Sequence, residues 1–432
     1  MSITLDDFEV FCRRSFDGVL AVVDRLGDEL INEHPPHTGG STPYALVTHI
    51  LGACEWWVGH MVAGDESHRV RGDEFTASGS VAELHAAVTD WLEQANAPDR
   101  AQAIRTVEHM GMPRGLAEQF VQSARDFSYR FWIIDNSGSM GTNDGHRVVD
   151  GAGGRQGLVP CSRWEELGSA IGWHARLAVE LGAWTEFRLL NQPGSGASQI
   201  VAVGTGDNAK SEDELRRIDR LVYSQPTGRT PLCAQIRAVT RQIQQRASEL
   251  RATGTKACVV IASDGEATDG DIAAALRPLR DLPAWVVVRL CTDDDKVVQY
   301  WNEIDEDLEL DMDVLDDLEG EAAEVNEAQP WLTYGAPLHR LREWGTCNKM
   351  FDLLDERPLA QHELPGFASL ILGEAACDGL PHPSLDWAGF LKALDKAQAS
   401  AKPVWDPARK RPRPWFSIRK LNKAHGGSCA VS

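Results

Sequence analysis

The chain has 432 residues, of which 43 % are hydrophobic and 25 % charged, and its formal net charge is −21. A chain of this length exceeds what one hydrophobic core usually holds, so we expect two or three compact units, and no apolar run approaches the roughly 20 residues of a membrane-spanning helix. The excess of negative charge opposes nucleic-acid binding over the surface as a whole, because phosphate contacts depend on basic residues.

Residues 1–98 are predicted to be helical. Apolar residues recur at helical spacing from Phe8 to Leu26. A second helix is predicted to begin at Pro43, because Ser41 and Thr42 supply a capping residue immediately before it, and a third to begin near Ser80. This pattern predicts a helical bundle or part of one.

The segment GGSTPYALVTHILGACEWWVGHMVAG, which begins at Gly39, resembles the DinB-like helical bundles, in particular thiol-dependent bacterial isomerases and transferases. In that family a histidine of the second helix helps to bind a divalent metal, and His49 occupies the matching place. Two further histidines usually follow on a later helix, but here only His109 is a loose match. The resemblance leaves two alternatives, a metal- and thiol-dependent enzyme or a shortened bundle that serves as a scaffold or dimer surface, and we favour the scaffold. Its packing aromatic residues would be Trp56, Trp57 and Trp91.

Residues 99–126 are predicted to form a helical linker, and beyond them short apolar runs alternate with amphipathic helical stretches. This alternation is typical of an α/β domain with a doubly wound, mostly parallel sheet covered on both faces. The predicted strands are residues 129–134, 185–190, 200–203, 257–262 and 285–290, and the predicted helices are residues 162–181, 212–222, 232–250 and 271–279.

The strongest chemical signal lies at the ends of these predicted strands. Asp135, Ser137 and Ser139 directly follow the apolar run FWII, at the carboxyl end of a strand, where parallel sheets bind ligands. Thr230, in GRTPL, leads into a helix, and Asp264, in SDGEATD, follows another strand. Together these side chains form an all-oxygen set suited to a hard divalent cation, Mg²⁺ first and Mn²⁺ as the substitute. The alternative interpretation is that they only cap helices and close turns.

These three motifs, in this order, resemble the metal-ion-dependent adhesion site of von Willebrand factor type A domains. The resemblance covers residues 127–345 and implies that all five side chains bind one metal, which captures a carboxylate of a protein partner. No histidine, cysteine or paired carboxylate converges on the site in the sequence, so the motifs do not indicate catalysis. The chain departs from the family pattern in a glycine-rich insertion over residues 141–160, which we expect to cap or gate the metal.

An acidic segment follows the last predicted strand. Residues 293–327 contain sixteen acidic side chains and one lysine, while apolar residues continue to recur. This pattern favours a solvent-exposed helical face over a cation-binding site.

The carboxyl-terminal part is predicted to comprise a helical extension, residues 346–400, and a basic tail, residues 401–432. The last four residues, from Cys429 to Ser432, match a prenylation signal of the farnesyl type. A lipid and a polybasic patch together are the usual signals for attachment to an anionic membrane surface. The alternatives are a flexible tail with an unmodified cysteine, or a basic run that serves nuclear import or nucleic-acid binding. From Pro407 onward there is no acidic residue, and the basic residues are Arg409, Lys410, Arg411, Arg413, Arg419, Lys420 and Lys423.

The start of the chain lacks the basic and apolar regions of a secretory signal, and the nine cysteines are spaced singly. We therefore expect a cytoplasmic protein with free thiols, attached peripherally to a membrane through its lipidated tail. The predicted function is a Mg²⁺-dependent protein-binding or scaffold module. The first alternative is isomerase or transferase activity of the amino-terminal domain, with a second divalent metal at His49. A weaker alternative is a regulatory subunit that works with a separate ATPase, since the chain has no phosphate-binding loop of its own.

Overall fold

A computed structural model describes residues 5–34, 41–54, 56, 71–95, 97–150, 156–194, 196–206, 210–292, 294–308 and 310–426. Contacts between Cα atoms divide the chain into two units, Met1–Gln102 and Ala103–Ser432. The boundary lies a few residues beyond the predicted end of the first domain at residue 98. The segments predicted as a linker, a helical extension and a basic tail fall almost entirely in the second unit, together with the sheet.

The first unit is helical in its described ranges. Its helices are α1 (Leu5–Leu30), α2 (Pro43–Cys54), α3 (Arg71–Glu74), α4 (Val81–Ala95) and the beginning of α5 (Ala97–His109). Two predicted helix starts are confirmed by their caps: the Thr42 hydroxyl accepts the backbone N–H of Ala45, and Ser80 and Glu83 bond each other reciprocally. In the described part of this unit, a hydrophobic cluster is formed by Phe16, Leu20, Val23, Ile31, Val47, Leu84 and Val88.

The second unit is a mixed α/β structure built on a six-stranded, mostly parallel sheet. The strand order is β5–β4–β1–β6–β7–β8, and only the edge strand β5 runs antiparallel to its neighbour. The strands are β1 (Phe127–Ile134), β2 (Gly145–Asp150), β3 (Gln156–Cys161), β4 (Thr185–Leu189), β5 (Ile200–Val203), β6 (Lys256–Ser263), β7 (Ala284–Leu290), β8 (Met312–Leu315), β9 (Val404–Asp406) and β10 (Arg411–Arg413).

Helices cover both faces of this sheet because the central strands β1, β6 and β7 are largely apolar on both sides. On β1, Phe131 and Ile133 join one buried cluster, and Trp132 and Ile134 join the other. The helices of this unit after α5 are α6 (Arg114–Asp126), α7 (Arg163–Glu180), α8 (Ser211–Val222), α9 (Leu232–Thr253), α10 (Ile272–Leu276), α11 (Asp295–Leu308), α12 (Leu318–Ala328), α13 (Ala336–Trp344), α14 (Lys349–Glu356), α15 (Leu364–Leu372), α16 (Glu374–Cys377), α17 (Trp387–Gln398) and α18 (Ile418–His425). Within the described residues, none of the helices has the length and apolar character needed to cross a bilayer.

Three features differ from the sequence-based expectation. The insertion forms an antiparallel hairpin, β2–β3, and the acidic segment supplies the edge strand β8. The basic segment is folded through residue 426: Trp415, Phe416 and Leu421 are buried in the same core as the sheet, and β9 pairs with β10. β8 has only four residues and includes Asp313, so its alternation of apolar and polar side chains is too short to predict a strand.

Candidate metal centre

The three predicted motifs meet at the carboxyl end of the sheet. The Asp135 N–H donates to the carbonyl of Ala262 at 2.8 Å, which brings the ends of β1 and β6 together. The first loop is joined to the second because the Gly138 N–H donates to the carbonyl of Gly228 at 3.2 Å. The second loop is joined to the third, since the Thr268 N–H donates to the carbonyl of Thr230 at 2.9 Å. All five predicted ligands therefore lie on loops that are directly hydrogen-bonded to one another.

Asp135 is the buried anchor of the site. One carboxylate oxygen, Oδ1, accepts the Ser137 N–H at 2.8 Å, and the other, Oδ2, accepts the Ser263 hydroxyl at 2.7 Å. Burial raises the pKa of Asp135. The hydrogen bonds from Ser263 and Ser137 oppose this shift, and the nearby Asp264 adds to it. Each oxygen has a second lone pair beyond these bonds, so the carboxylate retains acceptor capacity for a cation.

A chain of hydroxyls connects the first loop to the third. The Ser137 and Ser139 Oγ atoms lie 3.0 Å apart, and the Ser139 hydroxyl donates to Asp264 Oδ1 at 2.9 Å. Ser137, Thr230 and Asp264 are buried. Two carboxylates and neighbouring hydroxyls are oxygen donors of the kind that Mg²⁺ prefers, so the residues present fit this metal.

Two polar side chains that the sequence analysis did not select hold these loops in place. Asn136 is buried at the end of β1, where its Oδ1 accepts the Asn191 N–H at 2.8 Å and its Nδ2 donates to the Asn191 carbonyl at 3.0 Å. In the third loop, Asp269 accepts the backbone N–H groups of Cys233 and Ala234 at 3.0 and 2.8 Å. The two aspartates of SDGEATD therefore differ: Asp264 faces the site, and Asp269 caps α9.

A guanidinium also contacts the candidate ligands. Arg163 Nη1 donates to Asp264 Oδ2 at 3.0 Å, and Arg163 Nε donates to Asp144 Oδ1 at 2.8 Å, with a further bond from Nη2 to Asp144 Oδ2. Arg163 is the first residue of α7, where Ser162 and Glu165 form a capping box. Hydrogen bonding to Arg163 lowers the pKa of Asp144. No local sequence signal marks these contacts, because Asp144 lies in the insertion and Asp264 lies 101 residues further along the chain.

A second acidic group lies elsewhere in the second unit. Among the residues that the structure describes, Glu321, Glu324 and Asp355 each place a ligand atom within 4.8 Å of the others. Glu321 and Asp355 also contact the buried Arg342, which bonds Asp313 as well. This arrangement corrects one expectation: the acidic segment is not simply solvent-exposed, because Asp313 and Glu321 are buried around an arginine.

The candidate ligand of the first unit, His49, is bonded through Nδ1 to Glu74 at 2.7 Å, and its ring lies 4.4 Å from that of Phe75. In the described part of the chain, His49 does not belong to any group of three His, Cys, Asp or Glu ligand atoms. His109, the loose second match, is exposed and lies in the other unit. Cys429 and the side chains of Trp57 and Trp91 lie outside the described residues.

The sequence matches no protein-family model and no curated protein.

Proposed function

We propose that the second unit is a Mg²⁺-dependent protein-binding module with a type A, Rossmann-like fold. The observation that carries this proposal is the meeting of Asp135, Ser137, Ser139, Thr230 and Asp264 on three hydrogen-bonded loops at one sheet edge. The antiparallel edge strand and the helices on both faces are compatible with that fold.

The metal would serve to attract a ligand rather than to perform chemistry. Only Asp135 and Asp264 among the five proposed ligands carry charge, so the protein supplies no excess of negative charge over a divalent cation, while Asp144 offsets the charge of Arg163. Mg²⁺ usually keeps several water ligands, and an acidic side chain of a partner can replace one of them. An aspartate or glutamate on a partner protein is therefore the expected ligand.

Water-proton relaxation with Mn²⁺ as the probe tests this proposal. Mn²⁺ bound at the site relaxes exchanging water, and a carboxylate that displaces this water lowers the enhancement. We expect a short peptide with one aspartate to lower it and the same peptide with asparagine to leave it unchanged. Equal effects of the two peptides, or no enhancement with Mn²⁺ alone, would contradict the proposal.

We further propose that the folded basic segment faces an anionic membrane surface, held there by a farnesyl group on Cys429. Burial lowers the pKa of Lys420 first, Arg409, Arg413 and Arg419 lower it further, and Asp406 opposes them, so four cations lie near one another around a single carboxylate. Clustered cations gain roughly 1 kcal/mol each near an anionic leaflet. A fixed cluster of this kind supplies the second signal that one lipid chain needs for stable attachment.

Two measurements test the membrane proposal. The intact mass of the protein from a eukaryotic host reports lipidation, and an unmodified Cys429 with Ala430 to Ser432 still attached would contradict it. Co-sedimentation with phosphatidylserine vesicles tests the basic surface. Reversing Arg411 and Arg413 to glutamate should abolish binding, whereas reversing the exposed Arg217 and Arg220 of α8 should not.

The alternative function, a metal- and thiol-dependent isomerase or transferase in the first unit, is favoured by one observation. Histidine ligands of metals usually donate their other ring nitrogen to a carboxylate, and His49 is paired with Glu74 in this way. Metal analysis of the purified protein tests it. Stoichiometric zinc or nickel that is lost in His49→Ala would support an enzyme, and absence of both metals from the wild-type protein would exclude it.

A further inference from the structure

The hairpin inserted after the first metal motif is tied to a proposed metal ligand through one arginine. Asp144 lies directly before β2, at the base of the hairpin, and Arg163 lies two residues after the end of β3. The guanidinium bonds both oxygens of Asp144 and Oδ2 of Asp264. The Asp264 side chain is 2 % exposed and that of Arg163 15 %, so this contact is largely shielded from water.

The remaining contacts at the base of the hairpin are also specific. The Arg163 N–H donates to the carbonyl of Thr142 at 3.0 Å, so the backbone leading into the hairpin is bonded to the start of α7. The N–H of His146 donates to Glu166 Oε2 at 2.8 Å. A Cβ on Gly145 would lie 2.9 Å from the carbonyl oxygen of Ser162, which shows how closely the two segments approach.

Both oxygens of Asp264 are engaged in this arrangement, one by Ser139 and the other by Arg163. A divalent cation that coordinates Asp264 must therefore approach a guanidinium that already neutralises this carboxylate. Two positive charges held at the same carboxylate in a poorly hydrated site repel each other strongly. Asp144 reduces this repulsion because it holds two of the guanidinium nitrogens and offsets the charge.

We propose that Arg163 and Asp144 form a latch that sets the metal affinity of the site and couples it to the hairpin. Arg163 competes with the divalent cation for Asp264, and Asp144 draws Arg163 away from it. Metal binding then loosens the bond between Arg163 and Asp264 and changes the attachment of β2 at Asp144. This inference rests on the proposed metal-binding function, because it assigns the regulation of the same site.

The two latch residues have opposite expected effects on Mn²⁺ affinity, which is the signature to measure. Arg163→Gln should bind Mn²⁺ roughly tenfold more tightly than the wild type, because a competing cation is removed. Asp144→Asn should bind it severalfold more weakly, because the arginine loses its offsetting charge, and the double variant should resemble Arg163→Gln. Arg147→Gln, which removes an exposed arginine of β2, serves as the matched control and should match the wild type.

Hydrogen exchange provides a readout that is independent of affinity. Saturating Mg²⁺ should change the exchange of residues 145–150 in the wild type and leave it unchanged in Arg163→Gln. Weaker or equal Mn²⁺ binding by Arg163→Gln, or shifts of the same sign in both single variants, would overturn the latch. If the wild type binds no Mn²⁺, the proposed function fails instead, so the two failures are distinguishable.

Discussion

Replacing Arg342 by leucine should destabilise the second unit strongly, because this buried arginine forms ion pairs with three carboxyl groups. Its guanidinium is about 1 % exposed and bonds Asp313 at 2.9 Å, Asp355 at 3.1 Å and Glu321 at still closer range. Removing one partner of a buried ion pair typically costs about 3–5 kcal/mol, because the remaining charges are left uncompensated. We therefore expect a loss of about 4 kcal/mol in the free energy of unfolding near pH 7.

The loss of stability in Arg342→Leu should depend on pH in a defined direction. Burial already raises the pKa of Glu321 well above its ordinary value, and removing Arg342, the cation that opposes this shift, raises the pKa further. Because the folded state then binds more protons than the unfolded state, the variant should recover stability as the pH falls. The defect should therefore be smaller near pH 5 than near pH 7, and Glu321→Gln added to Arg342→Leu should restore part of the loss.

Urea unfolding of the intact chain, followed by tryptophan fluorescence, measures this effect. The matched control is Arg357→Leu, which removes the arginine of the more exposed pair with Glu363 and should have little effect. A wild-type-like Arg342→Leu variant, or a defect that is equal at both pH values, would refute the reasoning. Such a result would also favour cation binding by the acidic group of Glu321, Glu324 and Asp355.

Two further predictions concern other parts of the second unit. Burial lowers the pKa of His339 to about 4, so the unfolded state takes up a proton below pH 6.5 that the folded state excludes. When the pH falls from about 7.5 to 5, the free energy of unfolding in urea should therefore decrease by about 2 kcal/mol less in His339→Asn than in the wild type. Equal decreases in the two proteins would contradict this. Gly228 has a φ of 96° and would bring a Cβ within 2.9 Å of the Asn191 side chain, so Gly228→Ala should displace the second loop and weaken Mn²⁺ binding. Titration of Gly228→Ala against Gly265→Ala, where the glycine has open space, tests this, and equal affinities would contradict it.

Much of the sheet could be predicted from local sequence. The apolar runs before Asp135 and Asp264 are long and fully buried, and such runs specify central parallel strands without long-range information. The order of the motifs then places their polar residues together at the carboxyl end of the sheet, because the carboxyl ends of parallel strands lie side by side. The beginning of α7 directly after its cap Ser162 was also predictable, since a capping box is a local signal.

The features that escaped prediction depend on contacts distant in sequence. Arg163 pairs with an aspartate 101 residues away, and Arg342 with one 29 residues away, and nothing in a single sequence marks such partners. The basic segment was predicted as a tail because its charge dominates its composition. Its three aromatic residues, Trp405, Trp415 and Phe416, are nevertheless buried and anchor the segment in the fold.

The most direct test of the proposed metal centre is the stoichiometry of Mn²⁺ binding, measured by the electron paramagnetic resonance of free Mn²⁺ during titration. The wild type should bind one ion that Mg²⁺ displaces, and Asp135→Asn should bind none at this site. Asp271→Asn, which keeps the one side-chain oxygen that caps α10, should bind as the wild type does. Undiminished binding by Asp135→Asn, or equal loss in Asp271→Asn, would contradict the assignment of these loops to a metal.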